Sequence, residues 1–172
     1  SQLMLRLQST APSGGGVQLS EGAQAIRVSV RSSPVSQRRL LWARFRDAAG
    51  FYRDVVIAPI AGEDWRELEL PLPSGRRPLS FVGFRISESS GAAVALRGEL
   101  YIDALKEVLA DGEERVLEDF ERDPARFGWR MFAGKASGEQ FELSDEEAVA
   151  GRWSAKWSWP SGIAPGLRFL MM

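Results

Sequence analysis

The side chains able to carry chemistry here are carboxylates, hydroxyls, Lys, Arg and Tyr, because the chain holds no Cys and no His. That absence removes thiol nucleophiles, imidazole bases, the Ser-His-Asp arrangement and the usual zinc, copper and haem sites. The most pointed acidic group is Glu118, Asp119 and Glu121, taken together with Asp103. Hard carboxylate oxygens suit Ca²⁺, although no EF-hand spacing surrounds these residues. The competing reading is solvated carboxylates, or ion pairs with Arg115 or Arg122. Two carboxylates can also act as acid and base in glycoside hydrolysis. With 23 acidic residues such pairs arise anywhere, and none sits in a recognisable motif, so no enzyme activity is expected. The run Gly14 to Gly16 falls between two strand-like stretches and reads as a flexible turn, not a phosphate loop.

A second set consists of Arg27, Arg31, Trp42, Arg44, Arg46, Tyr52 and Arg53, on or near the outward face of neighbouring strands if the hairpin described below forms. Aromatic rings stack on sugar faces, and Arg forks donate to hydroxyls or carboxylates. Trp42, Arg44, Arg46, Tyr52 and Arg53 are therefore the candidate ligand-binding residues. The alternative is that Trp42 packs under a loop while the Arg side chains form a solvated face paired to Asp and Glu. Trp153, Trp157 and Trp159 alternate beside the small Ser154 and Ser158, and read as core.

These residues must be positioned by strands. Short runs with apolar residues at every second position are separated by Gly, Ser, Pro or Asp clusters throughout the chain, the pattern of half-buried strands. Leu3, Leu5 and Leu7 alternate, and Ile26, Val28 and Val30 share a face opposite Arg27, Ser29 and Arg31. Leu41, Ala43 and Phe45 oppose Trp42, Arg44 and Arg46, and Asp47 to Gly50 reads as a tight turn into Phe51–Ile57. Further strands are expected at Trp65–Leu72, Phe81–Ile86, Glu99–Val108, Val116–Glu121, Trp129–Phe132, Phe141–Leu143, Trp153–Trp159 and Leu167–Met171. Ser144 to Ala150 begins like a helix cap but is too short to stand alone, and is taken as a loop turn. The expected class is an all-β antiparallel sandwich with little or no helix.

At 172 residues the chain can bury one substantial core. Its net charge of −1 gives no overall field to attract nucleic acid, and no run is long and apolar enough to span a membrane. Lacking an initiating Met, it reads as a mature product or an excised piece.

Three segments, Trp65–Leu72, Phe81–Ile86 and Gly98–Leu105, resemble the closing strands of the carbohydrate-binding-module and galactose-binding-like jelly-roll superfamily. Val116–Glu121, Gly128–Trp129 and Gly151–Trp157 are similar to the opening of such domains, so the closing motifs precede the opening ones. The resemblance implies a jelly-roll sandwich in permuted order over residues 1–172, with 114–172 supplying opening strands to 1–109. The alternative is a sandwich at 1–109 followed by a partial second repeat. It also implies a non-catalytic, extracytoplasmic module of a larger bacterial protein, whether secreted or membrane-anchored, with a protein or a glycan as partner. By the same analogy, a structural Ca²⁺ held by Asp103, Glu118 and Glu121 is the one cofactor to expect.

Overall fold

The computed structural model of the chain describes residues 16–33, 39–59, 62–88, 97–123, 129–132, 140–160 and 168–171. Their strands are β1 (Val17–Gln18), β2 (Ala23–Ser33), β3 (Arg39–Arg46), β4 (Tyr52–Pro59), β5 (Arg66–Pro71), β6 (Ser80–Glu88), β7 (Gly98–Leu109), β8 (Glu114–Glu118), β9 (Arg130–Phe132), β10 (Gln140–Ser144), β11 (Ser154–Trp159) and β12 (Arg168–Met171). The described residues contain no helix, and 145–150 is a loop. The alternation at Leu3, Leu5 and Leu7 lies outside the described residues.

The strands form two antiparallel sheets packed face to face, a β-sandwich. One sheet runs β4-β3-β6-β12-β9, with β1 also on β6, and the other runs β10-β11-β7-β2-β5, with β8 also on β7. The strands from residue 114 onward enter both sheets: β8, β10 and β11 join the second, while β9 and β12 join the first. In particular β11 pairs with β7 from Ala155 opposite Ile102 to Trp159 opposite Gly98.

Each strand buries the side that its alternation marks as apolar. Leu41, Ala43, Phe45, Phe81, Phe84 and Ile86 come from the first sheet, and Ile26, Val28, Val30, Leu100, Ile102, Ala155 and Trp157 from the second. Two sheets that each bury one face in this way stack with their side chains interdigitated. At the core's centre Phe81 meets Phe45 edge-on at 5.7 Å and Phe84 at 5.1 Å. Trp129 stacks on Phe84 at 5.9 Å and lies 5.7 Å from Phe120, tying the segment after β8 into the same core. Trp157 and Trp159 are buried, as their strand spacing leads one to expect, and Trp153 is half-buried. Gly98 makes room for this arrangement, because a Cβ there would collide with the Trp159 indole.

Candidate functional site

The outer face of the first sheet is built by strict alternation. With Leu41, Ala43 and Phe45 buried, β3 must turn Trp42, Arg44 and Arg46 outward. Pairing with β4 sets Trp42 beside Val56, Arg44 beside Asp54 and Arg46 beside Tyr52, while β6 sets Arg85 beside Trp42. Arg44 grips Asp54 in a bidentate fork, Nε to Oδ1 at 2.7 Å and Nη2 to Oδ2 at 2.8 Å. The Arg85 guanidinium reaches Asp54 Oδ2 at 3.6 Å and lies 4.6 Å from the centre of the Trp42 ring. Arg44 lies 5.3 Å from the centre of the Tyr52 ring. The face thus reads Trp42, Arg85, Asp54, Arg44, Tyr52, with cations set against rings and one carboxylate bracing both. Burial pulls the Arg85 guanidinium below its ordinary pKa, and nearby Arg44 adds to this while Asp54 opposes it.

Arg53 does not belong to this face. It pairs with Phe45 and so points to the opposite side of β4, at the end of the sandwich, where its Nη2 lies 3.4 Å from Asp47 Oδ2. The reason is the strand period, since neighbours in β4 cannot share a face. Asp47 is held by its own turn, with Oδ1 accepting from the Ala49 N–H at 3.0 Å and the Phe51 N–H at 2.9 Å. Arg27 and Arg31 also lie elsewhere, on the second sheet. Arg27 pairs with Glu69, Glu114 and Glu67, and Arg31 with Glu147 at 2.6 Å. Of the candidate ligand-binding residues, the structure brings together Trp42, Arg44, Arg46 and Tyr52.

The acidic group is a set of backbone clamps. Asp103 is buried on β7 and accepts from three N–H groups, of Ala104 at 2.7 Å, Val149 at 2.8 Å and Ala150 at 3.2 Å. Burial raises its pKa, the three N–H donors pull it back, and the charge of Glu121 raises it further. Glu118 is buried and accepts from the Phe120 N–H and the Trp129 Nε1–H, each at 3.1 Å, and it pairs with Arg122 at 3.1 Å. Glu121 accepts from the Arg152 and Trp153 N–H groups at 2.8 and 2.7 Å. Gly151, at φ 69°, lets the backbone approach that carboxylate where a Cβ would collide with it. Among the described residues no three Asp, Glu, His or Cys side chains are grouped to hold a metal ion. Arg115, the other suggested partner, pairs instead with Glu113 at 3.0 Å.

Sequence reasoning missed Asp54, Arg85 and Val56 as members of the outer face. The alternation of β4 and β6 already turns them outward, but only the register of β3 against both neighbours places them beside Trp42 and Arg44. Comparison with protein-family models, with curated proteins and with solved structures finds no match to this chain.

Proposed function

We propose that this chain is a non-catalytic, extracytoplasmic module of the jelly-roll type within a larger bacterial protein, and that it docks an extended protein segment along β4. The observation that carries the docking surface is the distribution of exposed apolar groups. Of the five large hydrophobic side chains exposed among the described residues, Phe51 (64%), Tyr52 (49%) and Val56 (48%) all lie on the β3–β4 hairpin. Among the described strands β4 is also the terminal one of its sheet, and such a strand presents backbone groups that an added strand can pair with. The facing terminal strand β5 carries exposed Glu67 and Glu69, charges that discourage pairing. The location rests on the resemblance of the closing and opening motifs to carbohydrate-binding modules.

A second reading is glycan binding on the same face, favoured by the Tyr52 ring lying over Arg44 beside Trp42. The protein reading ranks first because the Arg44 fork, which a sugar would need, is already engaged by Asp54. The test is a peptide selection from a displayed library run beside a glycan array, each repeated with a Tyr52→Ser, Val56→Ser variant. Peptides that bind the parent chain and lose the variant support docking on β4. A glycan that binds the parent and loses a Trp42→Ala variant would replace it with the second reading.

A further inference from the structure

At the tip of the β3–β4 hairpin, separate from the outer face, is an open cleft of about 430 Å³ lined by Asp47, Ala49, Phe51, Arg53, Gly75 and Arg76. We propose that this cleft binds a carboxylate carried on an apolar or aromatic body.

The cleft is framed by two loops locked to each other. The Ala48 N–H donates to the Arg76 carbonyl at 3.0 Å, and the Asp47 N–H donates to the Phe51 carbonyl at 3.0 Å, closing the hairpin. Gly75 lies directly against Asp47, close enough that a Cβ would come within 3.2 Å of the Asp47 Cβ. The walls are therefore preformed, and a ligand need not order them.

The charges favour one anion. Two arginines, Arg53 and Arg76, line the cleft against a single acidic residue. That carboxylate, of Asp47, is buried, and its Oδ1 is engaged by the turn's own N–H groups. Arg53 meets Asp47 only through a long 3.4 Å contact and is 44% exposed. Arg76 makes no ion pair among the described residues. One positive charge thus remains uncompensated, which a single carboxylate neutralises and a phosphate dianion would exceed. A guanidinium fork also matches a planar carboxylate in shape. The exposed Phe51 ring and the Ala49 methyl group offer the apolar wall against which the ligand's body packs.

The test is an amide-resolved NMR titration of the intact chain with phenylacetate, with neutral phenylacetamide and inorganic phosphate as comparison probes. Phenylacetate is expected to produce saturable shifts at Ala49, Phe51 and Gly75, with a Kd in the ~mM range typical of a few contacts. Arg76→Gln, at an exposed position with no ion pair among the described residues, keeps the fold and weakens binding roughly tenfold, about 1.4 kcal/mol. Arg53→Lys, which keeps the charge but loses the fork, weakens it as well. Equal binding of phenylacetamide, preference for phosphate, undiminished binding by Arg76→Gln, or no saturable shift at these amides would each overturn the assignment. Phe51 borders both surfaces, but failure here is distinguishable from failure of docking along β4, because Tyr52 and Val56, the residues exchanged in the docking test, do not line the cleft.

Discussion

The carboxylates of Asp103 and Glu118, both buried, and of the more exposed Glu121 hold loops in place by accepting backbone and indole N–H groups. Chelating EDTA is therefore expected to leave the melting temperature unchanged, and a fall would reveal a stabilising cation. Glu118→Gln turns an amide NH₂ toward a donor that the carboxylate now satisfies, and is expected to cost about 1–3 kcal/mol in chemical denaturation. Tyr101 gives a sharper reading. Burial and the Glu146 and Glu99 carboxylates push its phenol up to about 12, against the opposing pull of Lys156. Its hydroxyl donates to Glu146 at 2.9 Å, and Arg31 and Lys156 flank the ring at 5.8 and 5.4 Å. In the unfolded chain the phenol ionises near ~10. The neutral form is thus favoured by folding, and that contribution is complete below pH ~10 and lost as pH rises towards about 12. In a Tyr52→Phe variant, where Tyr101 is the only phenol left, the phenolate absorbance should rise with a midpoint near that value. A midpoint in the ordinary tyrosine range would show that the phenol is not held in this network.

At the scale of the element, alternation settles which way a side chain points but not what it points at. The outward turn of Trp42, Arg44 and Arg46 and the inward turn of Trp157 and Trp159 were both legible from period two. Placing Arg27 and Arg31 with Trp42 failed because the pattern is the same in either sheet, and only pairing decides the sheet. Arg53 directly follows Tyr52 on β4, and adjacent residues of a strand face opposite sides, so only Tyr52 joins Trp42 and Arg44. The acidic cluster is visible as charge, whereas two of the three N–H donors to Asp103 and both of those to Glu121 come from a loop some thirty to fifty residues away and leave no sequence mark. On β11, Trp157 is fully buried, yet its indole N–H has no hydrogen-bond partner among the described residues. Trp157→Ala should therefore cost about 3–5 kcal/mol by opening a cavity. Trp157→Phe should cost far less, because it removes an unpaired donor along with part of the ring. Equal losses in the two variants, measured by denaturant unfolding, would contradict this packing.

At the scale of the whole molecule, the sheets are assembled from segments far apart in sequence. β7 pairs with β11 and β8 on one side and β2 on the other, and β6 pairs with β12 and β1 as well as β3. Removing residues 114–172 would strip the strands from one end of both sheets, uncovering one edge of β7 and most of one edge of β6, and take Phe120, Trp129, Trp157 and Trp159 out of the core. A chain ending at residue 113 is expected to lose its cooperative melt and to aggregate through the uncovered edges. A folded, cooperative 1–113 fragment would mean that the later strands are an appendage. The outward side chains of β4 stand apart from this interdependence, since Tyr52 and Val56 are exposed and exchanging them for Ser should alter stability by only about 0.5 kcal/mol. These apolar groups thus contribute little to folding and are available for recognition. The most direct test is hydrogen exchange on the chain with and without a selected peptide. Protection should appear along 52–57, with weaker effects at Trp42 and Arg85. Protection confined to β5 or to the outer face of the second sheet would contradict docking on β4.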